Sequence, residues 1–439
     1  MQRLAHVSRA LAHRNFRLFI VGQGISLIGT WMQQVGLAWV VYDLTKSAFL
    51  LGIVTFTGQI PTLLLAPFAG VLSDRWNRHR ALLITQFIAM LQATILAIAV
   101  AQGAIHIWLI LLLSFVLGCV NAFDMPLRQS FLSEMVPSRD DLPNAIALNS
   151  SLVNSARLIG PFLAGATIAV GGAVFCFAFN ALSYIAVLGA LFAMRDFPER
   201  KPAVVVSLRH GLMEGFRYAF GFQPIRTLLL MLALVSWSGT SLSVLLPLYA
   251  NEKLGGGPML FGFLTGASGC GALASALYLA SRKTVLGLGW RMGWATGGFG
   301  LALIMFSFSR SVPLSLVLLA ATGFSMMLTM AACNTLLQTI AEEDKRGRIM
   351  SLYTMAFLGM APLGSLFTGT MAQHFGPGVP LQINGAVCIL AALLFARFLP
   401  AIRKQIRPIY EQVGILPPAI IPSPVPTSAA AVQETPLSN

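Results

Sequence analysis

Twelve long apolar stretches, separated by mostly short polar segments, dominate the chain. Each runs for about 20 residues, which is the length that a helix needs to cross roughly 30 Å of hydrocarbon. Because lipid offers no hydrogen-bond partner to the backbone, stretches of this length indicate membrane-spanning helices. The pattern therefore predicts an all-α membrane protein. The predicted spans are residues 16–41, 49–72, 81–101, 105–123, 145–170, 173–194, 227–250, 260–280, 292–308, 312–333, 349–371 and 379–399.

Composition narrows the class of protein further. Of the 439 residues, 56% are hydrophobic and 10% are charged, and so few charged residues cannot cover the surface of a soluble protein. A soluble enzyme, a collagen-like chain and a disulfide-rich secreted module are thereby excluded. The five cysteines stand singly within apolar stretches, without a cysteine pair or histidine cluster nearby, so no metal site is expected.

The net charge of +14 is distributed unevenly along the chain. If both termini lie on one side of the membrane, 25 of the 29 Lys and Arg residues fall on that side. Lys46, Lys253 and Arg310 fall on the other side, and the remaining one, Arg157, lies within a span. The positive-inside rule then predicts that both termini are cytoplasmic, with the protein in the inner (plasma) membrane. The basic surplus would face anionic membrane lipid, so no nucleic-acid partner is expected.

The longest polar connection divides the spans into two sets of six. A cytoplasmic N-terminal segment (1–15) precedes the first half (16–194), and a central cytoplasmic loop with an amphipathic segment (195–226) leads to the second half (227–399). Residues 400–439 are rich in Pro, Ser and Ala, and they are expected to form a disordered cytoplasmic tail.

The two halves show an internal resemblance. The fifth span contains Gly160 and Pro161, and the eleventh contains Ala361 and Pro362 in the matching place. Similar halves are typical of secondary transporters built from repeats, whose substrate site lies near the membrane midplane where the halves meet. Gly and Pro are also frequent in membrane helices in general, so the alternative is a chance similarity.

The fifth span carries the one charge that is placed well inside an apolar stretch, Arg157. Positions 150, 154, 157 and 161 are spaced by three or four residues, so they share one helix face. A charged side chain at the bilayer centre costs about 2.5 to 3.5 kcal/mol, so Arg157 is expected to face a cavity or a partner. One hypothesis is that Arg157 contacts a substrate or takes part in gating, and its charge would then favour an anionic or oxygen-rich substrate. The alternative is a structural role, in which Arg157 bonds to neighbouring carbonyl groups. The residues of this face are Ser150, Asn154, Arg157 and Pro161.

A short basic loop joins the second and third spans and reads Gly-Val-Leu-Ser-Asp-Arg-Trp-Asn-Arg-His-Arg over 70–80. It resembles the loop signature of the major facilitator superfamily, with Asn77 where that family usually has Gly. The resemblance implies that Asp74 faces the N-terminus of the eleventh helix, which favours a carboxylate. It also implies that Arg78 pairs with Asp124 at the inner end of the fourth helix, and that both contacts hold the cytoplasmic gate closed. The candidate gating residues are Gly70, Asp74, Arg75, Arg78, Asp124, Arg128, Gly160, Pro161 and Gly165.

Three further segments, 15–47, 122–129 and 347–353, resemble one branch of this superfamily, the enterobactin exporters and related secretion effectors. The fifth span is also similar to the antiporter motif of the superfamily's exporters. The resemblance implies the major facilitator fold, twelve transmembrane helices in two pseudo-symmetric halves, with export, coupling to a proton and a monomeric carrier. The acid that several relatives carry near Thr30 is absent, which leaves the proton-binding residue open.

In this superfamily the first, fourth, seventh and tenth helices line the central cavity. Amide side chains there can bind a substrate without charge, and methionines adapt to varied shapes. For each single residue, ordinary packing between helices is the alternative. The candidate cavity residues, which include the polar face of the fifth helix, are Gln23, Gln33, Gln34, Asn121, Asn154, Arg157, Trp237, Met326 and Asn334.

These observations together lead us to expect a secondary transporter, not an enzyme. We expect it to export a siderophore or a drug-like amphiphilic small molecule by alternating access. The chain contains no nucleotide-binding loop of the GxxxxGK type, so neither ATP nor another cofactor is expected. An importer of a small nutrient or chelate on the same fold is a second hypothesis. A membrane scaffold or sensor without transport is a third.

Overall fold

The computed structural model describes residues 9–136, 138, 140–195, 216–282, 284–343 and 345–417, without the side chains of 66–67 and 70–75. Twelve long helices and no strands make up this part of the chain, which confirms the predicted all-α architecture. The helices are α1 (Arg14–Thr45), α2 (Ala48–Arg75), α3 (Arg78–Ala101), α4 (Ile107–Met135), α5 (Leu142–Gly171), α6 (Val174–Ala193), α7 (Gln223–Leu248), α8 (Gly257–Ala280), α9 (Leu288–Phe308), α10 (Val312–Ile340), α11 (Arg346–Phe375) and α12 (Gly378–Gln412).

The twelve helices correspond one to one with the predicted spans. Ten of them contain a stretch that is long and apolar enough to cross a membrane. The other two are α1, whose apolar run is interrupted by three glutamines, and α9, which is rich in glycine. Both pack in the same bundle as the other helices, because α1 contacts α5 and α6 while α9 contacts α10 and α12.

Several helices continue well past their predicted spans. α4 runs to Met135 rather than to residue 123, and α12 runs to Gln412 rather than to residue 399. The expected disordered tail from residue 400 is therefore wrong for 400–412, which are helical, while residues 418–439 lie outside the described residues. Ile402 and Ile406 explain the extension, because they are 3% and 7% exposed and give the polar segment a buried face.

The two polar segments that flank the first half are only partly described. A short 3-10 turn, Arg9–Ala12, precedes α1, and His13 Nε2 lies 3.0 Å from Asp141 Oδ2 before α5. Of the predicted amphipathic segment in the central loop, residues up to 215 lie outside the described part. Residues 216–221 form a helical turn in which the rings of Phe216 and Phe220 stack at 5.9 Å.

α5 and α11 occupy corresponding places in the two halves. Each has 30 residues with an internal proline. Each is followed by a glycine with a positive φ, Gly172 at 87° and Gly376 at 83°. Residues with a side chain rarely adopt this conformation, so both helices end in the same way, at a glycine with a positive φ. This correspondence agrees with the predicted internal repeat.

The halves meet along two helix pairs that are lined by small residues. Where α2 packs against α11, a Cβ atom on Gly52 would lie 2.7 Å from the Ser365 carbonyl oxygen and 3.0 Å from Gly369 Cα. Where α5 packs against α8, a Cβ atom on Gly262 would lie 2.6 Å from Gly165 Cα. These glycines let the backbones approach closely, as small residues do in membrane bundles.

The two ends of the bundle differ in charge and in packing. Most Lys and Arg residues lie where the odd-numbered helices begin, an end that we call the basic end; the opposite end is the far end. The hydrogen bonds and ring contacts that join the halves, as far as the described side chains make them, lie in the far half of the bundle. The far end is therefore closed.

Candidate substrate and gating sites

The polar face of α5 points into the interior of the bundle. One side of α5 packs closely on α1 at Gly160, where an added Cβ atom would collide with Trp31 Cβ. Another side packs on α8 through Gly165. The positions 150, 154 and 157 lie between these two sides, and Ser150 is exposed. As far as the described side chains show, which leaves out those of 70–75 at the basic end of α2, this exposed polar face and the closed far end indicate a cleft between the halves that opens toward the basic end.

Arg157 lies halfway along α5, where α5 contacts both halves. The guanidinium carbon of Arg157 is 5.2 Å from the centre of the Trp31 ring on α1. On the other side, α8 packs closely, because a Cβ atom added to Gly269 would lie 3.1 Å from the carbonyl oxygen of Arg157. No described acidic side chain forms an ion pair with it. An arginine over an aromatic face is attracted electrostatically but keeps its hydrogen-bond donors. The arrangement suits an anionic ligand that approaches from the cleft.

The three glutamines predicted for the cavity on α1 have different surroundings. Gln33 is 3% exposed: its Nε2 donates to Gln92 Oε1 at 2.9 Å, and Asn180 Nδ2 donates to Gln33 Oε1 at 2.8 Å. Gln23 is also buried. Only Gln34 is exposed. Gln33 thus joins α1 to α3 and α6, and its amide is not available to a substrate in this conformation.

The remaining cavity candidates lie on α4, α5, α7 and α10, and all are partly exposed. Asn154 donates from Nδ2 to the Ser150 carbonyl oxygen at 2.8 Å, so it belongs to the polar face. Met326 Cε of α10 would lie 2.9 Å from a Cβ atom on Gly239 of α7. Asn334 accepts a hydrogen bond from Gln338, one turn further along α10. The other two are Asn121, for which no side-chain hydrogen bond occurs within the described part, and Trp237, whose ring lies 5.4 Å from that of Phe367.

The expected gate pair of Arg78 and Asp124 is not formed. Arg78 Nη1 instead contacts Glu134 Oε1 at 2.8 Å and the Ser130 carbonyl oxygen at 3.0 Å. The reason is the length of α4: it continues to Met135, so Asp124 lies inside the helix and Glu134 lies at its end. The structure describes no side chain at Gly70, Asp74 or Arg75, so the expected contact of Asp74 with α11 lies outside the described residues.

Asp124 has other partners within the first half. It is 3% exposed and forms an ion pair with Arg128 Nη2 at 2.7 Å. It also accepts hydrogen bonds from Gln86 Nε2 at 2.6 Å and Thr85 Oγ1 at 3.2 Å, both on α3. Among the described residues it is the only Asp or Glu that is buried. This part of the chain therefore holds one carboxylate inside the bundle, and a cation and two hydrogen-bond donors lie against it.

A polar contact that closes the far end has no counterpart among the sequence-based predictions. Tyr42 of α1 is 1% exposed; its hydroxyl donates to Glu252 Oε1 at 3.0 Å and accepts from Asn251 Nδ2 at 2.9 Å. Asn251 and Glu252 lie in a π-helical turn, Tyr249–Lys253, that follows α7. No local pattern marks Tyr42 as important, because its partners lie about 210 residues away in the chain. We call Tyr42, Asn251 and Glu252 the far latch.

A second polar contact lies at the basic end, outside the membrane-spanning stretches. Glu342, between α10 and α11, lies 2.5 Å from Lys345 Nζ and 3.3 Å from the Tyr218 hydroxyl. The hydrogen bond from the Lys345 ammonium lowers the pKa of the Glu342 carboxyl below its ordinary value. Burial raises the pKa of Tyr218. The contact ties the turn 216–221 of the central loop to the second half.

Comparison with known proteins places the chain among membrane transporters. It is 27% identical to the staphyloferrin A transporter of Staphylococcus aureus, over 86% of this chain and 95% of that protein. It is 25% identical to the multidrug efflux pump Tap of Mycolicibacterium fortuitum, over 87% of this chain and 93% of the pump.

Solved structures agree on the fold. A bacterial homologue of the iron transporter ferroportin, in its inward-facing state, superposes with a TM-score of 0.66 over 88% of this chain and 98% of that one, at 19% identity. The family model of the transmembrane secretion effectors matches residues 7–411, nearly the whole chain. The chain therefore belongs to the transmembrane secretion effector family, and it is a secondary transporter of the major facilitator superfamily.

Proposed function

We propose that this transporter exports an anionic or oxygen-rich amphiphile, a siderophore or a drug-like molecule, by alternating access. The observation that carries the proposal is Arg157, a cation halfway through the membrane that faces the cleft without an acidic partner among the described side chains. In surroundings of low dielectric, such a cation attracts an anion strongly and repels other cations. A substrate carboxylate or catechol oxygen would complete the site.

The conformation is the one expected of a carrier that is ready to load. With the termini in the cytoplasm of a cell whose inner membrane holds the protein, the basic end faces the cytoplasm and the cleft opens there. A substrate would pass Ser150 and Asn154 before it reaches Arg157, along one face of α5. The halves would then rock, with the far latch and the contacts at Gly165 and Gly262 separating as the basic end closes.

The direction and substrate class draw on two relatives. One bears the name of a multidrug efflux pump and another that of a staphyloferrin A transporter, so drug export and siderophore transport both occur among similar chains. The antiporter-like segment Gly160-Pro161 on α5 also favours export. Met326 beside Gly239 offers an adaptable apolar wall, which suits an amphiphile of variable shape.

We infer that a proton drives the transport, because the segment around Gly160 and Pro161 on α5 is similar to the antiporter motif of the superfamily's exporters. The carrier works as a monomer surrounded by lipid, without a cofactor.

The test is transport into everted membrane vesicles, with a pH gradient and a mixed panel of catechol chelators, hydroxamate chelators, lipophilic anions and lipophilic cations. Wild type should accumulate one anionic or oxygen-rich class. Arg157→Gln should reduce the apparent affinity of the transporter for that class on the order of ten- to hundredfold. This corresponds to the free energy that hydrogen bonds to a charged group contribute. Dissipation of the pH gradient should abolish net accumulation if a proton drives the transport.

Arg157→Lys and Arg310→Gln are the matched controls. The first keeps the charge and should retain part of the transport. The second removes an exposed arginine between α9 and α10 and should behave as wild type. Uptake of cations alone, or full activity of Arg157→Gln, would contradict the assignment of the site. Substrate movement only in the opposite direction would indicate an importer, and no movement of any compound would favour a scaffold.

A further inference from the structure

The part of α12 that continues past the predicted span builds a cavity that the proposed transport mechanism does not use. This cavity has a volume of about 600 Å³ and lies at the basic end, between residues 400–412 and the starts of α7 and α9. Apolar side chains such as Leu228, Phe395 and Leu399 line its inner part. Two arginines, Arg403 and Arg407, line it toward the outside.

Helical spacing separates the apolar and the charged parts of this cavity. Ile402 and Ile406, one turn apart, are buried against the bundle. Arg403 and Arg407 each follow one position later, so they form a parallel row beside the buried one, and Tyr410 continues that row. The segment thus holds its two cations along the edge of an apolar cavity, which is the arrangement that an amphiphilic anion needs.

The positive charge of Arg403 and Arg407 is only partly neutralised by acidic side chains of the protein. No Asp or Glu is among the described residues that line the cavity. Arg407 forms an ion pair with Glu411, with Nε and Oε1 2.9 Å apart, whereas Arg403 has no ion pair within the described part of the chain. Arg403 is therefore open to an anion from outside the protein, and Arg407 is only partly compensated because its side chain is 62% exposed.

The position of the cavity points to a lipid rather than to a soluble anion. Trp290 lines it from α9 and is 47% exposed, and Tyr410 lines it from α12. Trp and Tyr are typical of the boundary between lipid headgroups and hydrocarbon. We propose that this cavity binds one anionic phospholipid, with an acyl chain in the apolar part and the phosphate on Arg403 and Arg407. Its volume lies within the range of about 300 to 1,000 Å³ typical of ligand pockets.

The proposal is tested by native mass spectrometry of the purified full-length protein. The protein is titrated with phosphatidylglycerol or with phosphatidylcholine of the same acyl chains. Wild type should retain the anionic lipid more strongly. The variant Arg403→Gln with Arg407→Gln should bind it less strongly, on the order of fivefold for each arginine removed. Glu411→Gln, which frees Arg407, should bind it more strongly.

The control variant combines Arg397→Gln with Lys404→Gln. It removes the same net charge from exposed positions of α12 that do not line the cavity, so it should bind phosphatidylglycerol as wild type does. Quenching of tryptophan fluorescence by brominated phosphatidylglycerol gives a local readout. The difference in quenching between wild type and Trp290→Phe measures the lipid bound beside Trp290 in this cavity. An equal loss in both double variants, equal retention of the two lipids, or tight binding of glycerol phosphate alone would overturn the proposal.

Discussion

Two charged residues within the described bundle, Arg157 and Asp124, are held in contrasting ways. Asp124 has an ion pair and two hydrogen-bond donors, so the cost of removing its charge from water is offset locally. Arg157 has the ring of Trp31, and such a contact contributes about 0.5 to 2 kcal/mol. That is less than the cost of about 2.5 to 3.5 kcal/mol for a cation at the bilayer centre. The anionic substrate proposed above would supply the difference.

Gln33 and Gln34 should respond differently to truncation, although they are adjacent and chemically identical. Gln33→Ala leaves Gln92 Oε1 and Asn180 Nδ2 without the hydrogen bonds that Gln33 makes to them, which should cost about 1 to 3 kcal/mol and lower the midpoint of thermal unfolding. Gln34→Ala removes an exposed amide and should leave that midpoint unchanged. Thermal unfolding in detergent measures both. A lower midpoint for Gln34→Ala alone would show that the two roles are reversed.

Sequence reasoning could identify the polar face of α5 but could not distinguish these two glutamines. Helical spacing placed Asn154 and Arg157 on one face, and the structure has them there. Gln33 and Gln34 are one position apart, so they point about 100° away from each other on the helix. Which direction leads into the packed half depends on where α3 and α6 lie, and the sequence of α1 contains no information on that.

At the scale of helices, hydropathy located the apolar core of each element but not its ends. A membrane helix continues into the aqueous region as long as its backbone is hydrogen-bonded and one face is buried. α4 therefore extends to Met135 and brings Glu134, rather than Asp124, to the helix end beside Arg78. The same effect makes residues 400–412 helical and creates the cavity with Arg403.

The pair of Arg78 and Glu134 should behave as an interacting unit in a double-mutant cycle. Its side chains are 12% and 20% exposed, so the pair is less screened than a surface salt bridge. Arg78→Gln and Glu134→Gln should each lower the midpoint of thermal unfolding, and the double variant should lower it by less than the sum. Arg78→Gln combined with Asp124→Asn serves as the control, and its effects should add. Additive effects in the first cycle, with coupling in the second, would indicate that Arg78 pairs with Asp124 instead of Glu134.

At the scale of the whole molecule, the contacts between the halves determine which end of the cleft is open. The far half holds the glycine contacts of α2 with α11 and of α5 with α8, the stacking of Trp39 on Phe261 at 6.2 Å, and the far latch. An equilibrium between two packings that differ by a few kcal/mol is sensitive to the loss of a single contact.

Tyr42→Phe should shift this equilibrium toward opening of the far end. The change removes the hydrogen bonds to Asn251 and Glu252 but keeps the ring, so packing is preserved. Spin labels on exposed positions of α2 and α11, such as Phe49 and Phe375, should show a larger population of long distances.

Tyr249→Phe is the matched control for that change. Its hydroxyl donates to the Ser307 carbonyl oxygen at 3.2 Å, within the second half, so its loss should leave the distance distribution as in wild type. If Tyr249→Phe widened the far end as much as Tyr42→Phe, general loosening of the bundle rather than the far latch would be responsible.

The sequence by itself determined the number and approximate position of the helices, the resemblance to a transporter family and the polar face of α5. These follow from local composition and spacing, because a bilayer requires each span to satisfy its own backbone and to be apolar over about 20 residues. The tertiary structure alone decided the partner of Arg78, the burial of Gln33, the far latch and the cavity beside Arg403. Each of these depends on residues far apart in the chain, and on which face of a helix meets its neighbour.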